Sequence, residues 1–122
     1  AWERAYKFAL EIYKMTRDFP KDELFGLTNQ LRRSTYSVPT NISEGCGRES
    51  KIELLRFFQI ASGSAAETHN HLMFSRDLRY MNSKEYNKLS QELEEIRKML
   101  TTYMLRVKAT INSSINSKKK SV

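Results

Sequence analysis

Two histidines, one cysteine and fourteen acidic side chains are the groups in this chain that could hold a metal ion or attack a bond. A di-iron helical bundle needs inward glutamates and histidines placed three residues after a glutamate on two helices. No glutamate here has a histidine at that spacing. Glu67 and His71, four apart, share a helix face, but two ligands do not make a site. His69 and His71 would point about 200° apart, so both read as ordinary polar helix residues. Cys46 sits near a helix end with no histidine partner in prospect, and nothing there would activate its thiol. Walker, dinucleotide-binding and zinc-knuckle spacings are missing, and Gly45-Cys46-Gly47 is too short to cradle a phosphate. These residues predict a protein that is not an enzyme and takes no metal or cofactor. A site shared between subunits is the one enzymatic route left open.

A second group of residues could bind rather than react. At about 100° per residue, Gln30, Arg33, Ser37, Asn41 and Glu44 fall within roughly 80° of one another on a helix. Arg33 and Glu44 stand three turns apart, so a bridged pair through Ser37 and Asn41 is geometrically possible. The stripe is either a solvated face or a polar seam packed on another helix or subunit. Loss of Arg33 or Glu44 is expected to cost stability or assembly if the seam is packed. Candidate polyanion contacts are Arg32, Arg33, Arg48, Lys51, Arg56, Lys118, Lys119 and Lys120. With 21 basic and 14 acidic residues the net charge is +7, mild over the helical part and densest in the terminal lysines. Counterion release draws such a protein to polyanions, although solubility alone would also explain the charge. Exposed aromatics interleaved with the cations are not expected, which argues against single-strand stacking recognition.

Four segments with apolar residues three or four apart must position these groups. The first runs through Trp2, Ala5, Ala9, Ile12, Thr16 and Phe19 and stops at Pro20. The second runs through Leu24, Leu27, Leu31, Ser34, Val38 and Ile42. Pro39 inside it predicts a kink, and Gly45 and Gly47 are expected to end it in the left-handed cap conformation. The third runs through Leu54, Phe58, Ala61, Ala65, Thr68, Leu72 and Ser75, opened by a Ser50–Glu53 capping box. The fourth runs through Tyr86, Leu89, Leu93, Ile96, Leu100, Tyr103 and Val107, capped by Asn82 with Glu85 or by Ser83 alone. No segment alternates with period two. The expected fold is all-α, an antiparallel up-down four-helix bundle with a left-handed twist, over residues 1–112. A disordered basic tail is expected over 113–122. Ile60 and Phe74 lie off the third helix's core stripe and are candidates for an oligomer interface; a more fully buried central helix is the alternative.

Length and composition suit one domain with its own core. A lone cysteine allows no intrachain disulfide and suits a reducing compartment. No apolar run is long enough to span a membrane. Glu3, Arg4 and Lys7 precede any apolar run, unlike a secretory leader; the first residue is not Met, which leaves open a short upstream piece. A cytoplasmic, soluble protein is the expectation.

The block Gly26-Leu27-Thr28-Asn29-Gln30-Leu31-Arg32-Arg33-Ser34, followed by Ser37-Val38-Pro39-Thr40-Asn41-Ile42-Ser43-Glu44-Gly45, resembles the four helix bundle protein family. Its members are also called 23S rRNA-intervening-sequence proteins or S23 ribosomal proteins. Phe57 through Glu67 and Leu93 through Leu100 extend the likeness, which reaches about Val107. By position, the family's characteristic residues are Arg33, Pro39, Asn41, Glu44 and Gly45, whereas Cys46 stands where a polar residue, often Arg, is usual. The resemblance implies a ring-like homopentamer and a relative that binds nucleic acid. The function expected is that of a homo-oligomeric accessory protein associated with RNA or DNA. The alternative is a protein-binding oligomeric scaffold with no nucleic-acid role.

Overall fold

Apolar side chains recurring every three to four residues can be buried together only if each segment coils into a helix and turns that stripe toward the others. The computed structural model describes residues 1–120, and these form four helices. They are α1 (Trp2–Thr16), α2 (Leu27–Cys46), α3 (Lys51–Asp77) and α4 (Ser83–Lys120). A single 3-10 turn, Lys21–Glu23, sits between α1 and α2, and no strand occurs among the described residues. Their stripes meet in one core, with Ile12, Leu31, Leu72 and Leu100 fully shielded from solvent and Phe58, Leu93 and Ile96 nearly so.

Contacts along two of the helix pairs run in opposite order. Along α2 and α3 the pairs are Ser34 with Thr68, Ser37 with Ser64, and Gly45 beside Phe57. Along α3 and α4, Phe58 stacks on Tyr103 while Arg76 lies over Tyr86. α1 and α4 meet least, and there Arg4 forms a two-pronged ion pair with Glu92, both distances 2.9 Å.

The helix ends follow local chemistry. Ser50 Oγ accepts the Glu53 amide at 3.1 Å, and Asn82 Oδ1 accepts the Glu85 amide at 2.8 Å while its own Nδ2 donates to Glu85 Oε1. Asn82, rather than Ser83, is thus the cap of α4. Below α1, buried Phe19 packs on Tyr80, and Tyr80 donates to Glu23 Oε2 at 2.8 Å, closing that end of the bundle. Glu23 Oε1 also accepts the Leu27 amide at 3.4 Å, so the acidic turn before α2 serves its N-terminus.

Four details depart from the sequence reading. α2 starts at Leu27, and Leu24 stands exposed ahead of it. Trp2, at the first position of α1, is exposed as well and lines an open groove at that end of the bundle. Neither Gly45 nor Gly47 is a left-handed cap. Gly47 has φ −85°, no described glycine has positive φ, and the left-handed residue is Arg79, just after α3. Gly45 is needed for space instead: a Cβ there would meet Phe57 Cβ at 3.0 Å and the Leu54 carbonyl at 3.2 Å. Finally, where a tail was expected, α4 is described as helix through Lys120. It continues over 113–120 without a proline or glycine, since adding a residue to an existing helix needs no new nucleus. Residues 121 and 122 lie outside the described residues.

Gly45→Ala is expected to lower the unfolding free energy by about 1–3 kcal/mol through overpacking at the α2–α3 crossing. Urea unfolding of the two proteins checks this. An unchanged midpoint would mean that the crossing opens at no cost.

Candidate nucleic-acid interface

The polar seam of α2 is packed in its middle and free at its Gln30 end. Ser37 and Ser64 hydroxyls lie 2.8 Å apart, and Asn41 Nδ2 donates to Ser37 Oγ at 2.9 Å and to its carbonyl at 2.8 Å. One helical turn away, Thr68 Oγ1 lies 2.9 Å from Ser34 Oγ and 2.8 Å from the Ser64 carbonyl. A ladder of short hydroxyls thus ties α2 to α3. Glu44 does not reach Arg33; it pairs with Arg48 at 2.6 Å. The three-turn bridge is therefore not formed within the chain, because Arg48 lies one turn from Glu44 and needs no intermediary. Gln30 and Arg33 are exposed, and neither makes a side-chain hydrogen bond or ion pair among the described residues.

The candidate cations separate into three groups. Arg32 is structural: it donates to Thr16 Oγ1 at 2.8 Å and to the Tyr13 carbonyl, and its guanidinium lies 4.7 Å from the centre of the Tyr13 ring. Arg48, Lys51 and Arg56 surround the α2–α3 turn, where Arg48 also lies over Phe57. Glu44, Glu49 and Glu53 share that turn and cancel its charge. Lys118 and Lys119 stand on the last turns of α4, past the bundle's end; the side chain of Lys120 lies outside the described residues.

The strongest electrostatic feature emerges once α4 is seen as one continuous helix. Glu95 is the last acidic residue of the sequence. Residues 96–122 carry seven basic side chains and no acidic one, whereas residues 1–95 carry fourteen of each. The whole net charge therefore belongs to the second half of α4 and the chain end beyond it. Arg97, Lys98, Arg106 and Lys108 join the terminal lysines there. A charge total taken over all of α4 hides them, because Glu85, Glu92, Glu94 and Glu95 offset them; the position of the last acidic residue is the signal that finds them.

Upstream, the acidic half of α4 is partly spent on α1. The Arg4 guanidinium, by hydrogen bond and then by charge, holds the Glu92 carboxyl below the ordinary glutamate range. Arg4 is held correspondingly higher by the same bond.

Apolar surface also remains. Ile60 and Phe74 are exposed on the outer side of α3, with Phe74 at 55%. On α1, Trp2, Tyr6, Leu10 and Tyr13 form an exposed line, and Trp2 stacks on Tyr6 with ring centres 5.0 Å apart. Exposed aromatics therefore exist, contrary to the expectation from sequence. Spacing alone does not tell a core stripe from a second stripe beside it. Trp2 and Tyr103, with Cys46, Lys98 and Arg106, line an open groove of about 560 Å³ where α1 begins beside α4. Glu67 and His71 lie 3.4 Å apart, and no group of three potential metal ligands occurs among the described residues. No described helix is long and apolar enough to cross a membrane.

The model of the 23S rRNA-intervening sequence protein family matches residues 1–102. A crystal structure of a protein with unknown function, from the S23 ribosomal protein family of Bacteroides thetaiotaomicron VPI-5482, superposes with a TM-score of 0.77 at 24% identity. That match covers 84% of this chain and 96% of the other. No curated protein matches.

Because the Glu92 carboxyl is depressed in the folded state, its contribution is present above the ordinary glutamate pKa and lost as pH falls through the folded value. Acidification should accordingly cost the parent protein more thermal stability than it costs Arg4→Ala. Parallel melting curves for the two would discredit the α1–α4 clamp.

Proposed function

The chain belongs to the 23S rRNA-intervening sequence protein family, and from that premise we propose that it is a non-enzymatic, homo-oligomeric accessory protein of the cytoplasm that associates with nucleic acid. The observation that carries this reading is the segregation of charge, a neutral body joined to a helix half that is basic throughout. Lys98 pairs with Glu95 at 3.7 Å; beyond it, a polyanion approaching α4 meets a stretch of helix with cations and no acidic residue, so each contact can release a condensed counterion.

Assembly supports the same reading. Ile60 and Phe74 offer apolar contact on α3, and Arg33 on α2 has no partner among the described residues. A second subunit that covers Ile60 and Phe74 and pairs Arg33 would complete that side; the family resemblance suggests a pentamer. Repeating a modest basic helix around a ring raises the effective affinity far above that of one copy.

A protein-binding scaffold is the second reading, favoured by the exposed line Trp2, Tyr6, Leu10 and Tyr13 on α1. Aromatic side chains in such a line are the kind that anchor protein interfaces. Partners that remain bound after nuclease treatment would select this reading over the first.

Gel-shift titrations at two salt concentrations test nucleic-acid association. Replacing Arg106, Lys108 and Lys119 together by Gln is expected to weaken binding and to flatten the log–log salt slope by roughly 2.7. No shift of RNA or DNA by the parent protein at low salt would end the proposal. For assembly, Arg33→Ala should lower the mass seen by light scattering. Its effect on the fold of one subunit should be small, since Arg33 is exposed and unpaired among the described residues. An unchanged mass would remove Arg33 from the interface.

A further inference from the structure

α4 outruns the bundle it belongs to. Its last buried residue is Val107, and residues 112–119 are all exposed. The thirteen residues from there to Lys120 add about 20 Å of helix at 1.5 Å per residue. This projection begins beyond the 1–102 stretch that the family model matches, so it is an addition to the shared bundle.

The projection has two unlike sides. At about 100° per residue, Val107, Ile111 and Ile115 continue the core stripe on one side. On the other, Ala109, Asn112, Ser113, Asn116 and Ser117 fall within an arc of roughly 140°. Between Ala109 and Ser117 every side chain in that arc is short, and none is charged. Lys108 and Lys119 border one edge, Arg106 lies within the arc just before Ala109, nearer the other edge, and the segment contains no acidic residue.

We propose that this short-side-chain face of α4 docks in the major groove of duplex DNA; the inference rests on the nucleic-acid reading above and specifies its ligand. A B-form major groove about 12 Å wide admits an α-helix, and small residues let the backbone come close to the base edges. Asn112 and Asn116 each carry an amide that can donate and accept at once, the pattern matched by the N6 and N7 edge of adenine. Lys108 and Lys119 flank one edge of the face, where one phosphate ridge would lie, and Arg106 stands within the arc one turn before Ala109, toward the other ridge. Duplex RNA is disfavoured, because its deep, narrow major groove excludes a helix. A single strand is disfavoured too: no aromatic residue comes after Tyr103, so the projection has nothing on which bases could stack. A membrane surface would call on the Val107–Ile111–Ile115 side, which lacks the aromatic residues that favour a lipid interface.

Fluorescence anisotropy with the full chain tests this against an A·T-rich duplex DNA, a duplex RNA of matching sequence, one of the single DNA strands, and phosphatidylserine vesicles. Duplex DNA should bind at least about tenfold more tightly than duplex RNA or the single strand. Asn112→Ala combined with Asn116→Ala favours the helix by propensity. It should weaken duplex DNA binding at least about tenfold and leave the salt slope unchanged. Equal or tighter binding of duplex RNA or the single strand, indifference of duplex DNA to the double substitution, or binding to vesicles alone would each overturn the inference. Binding of nucleic acid without preference for duplex DNA leaves the functional proposal standing and removes only this one; binding of no nucleic acid at all removes both.

Discussion

The close approach of α2 and α3 is the constraint on which the rest of the structure depends. It has a steric part and a polar part. Gly45 lets the Phe57 side chain and the Leu54 carbonyl come within a distance that a Cβ would contest. Farther along, Ala61 and Ala65 are fully buried, and Ser34, Ser37, Ser64 and Thr68 join the two helices through short hydroxyl contacts. Hydroxyls buried at such a crossing are costly unless they satisfy one another. The same small side chains that permit the contact therefore also require it to stay in register. Phe58 is then held against Tyr103, which locates α4 on the pair.

That tight pair has a consequence for the outside of the molecule. With its small residues turned toward α2, α3 leaves Ile60 and Phe74 exposed, and α2 keeps Gln30 and Arg33 without partners among the described residues. α1 is attached more loosely. A surface ion pair such as Arg4 with Glu92 adds little by itself, so the burial of Ala5, Phe8 and Ile12 does most to hold α1 in place.

Electrostatics and packing divide the chain at different places, the charge balance ending at Glu95 and the burial at Val107. The helices that pack most closely carry balanced charge, and acid and base there neutralise each other within a turn or two, as Glu44 and Arg48 do. Beyond Glu95 the balance ends while the helix goes on. A basic helix whose last turns leave the bundle is relieved of packing, so its side chains can be selected for what they meet in solution.

Much of the architecture is legible from residue order alone. The apolar spacing of Ile12, Leu31, Phe58 and Ile96 demands helices that share an interior, and these four side chains are buried together. Ser50 with Glu53 and Asn82 with Glu85 mark where α3 and α4 begin, because capping is a contact between residues three apart. The charge list needs no coordinates either. Only tertiary structure decides which of two adjacent stripes is covered, and so leaves Trp2 and Tyr6 outside. Only it pairs Glu44 with Arg48 rather than Arg33, assigns Gly45 to a helix crossing rather than a cap, and carries α4 past the bundle. Each of these depends on what stands opposite a residue in space, and the sequence records neighbours along the chain but not across it.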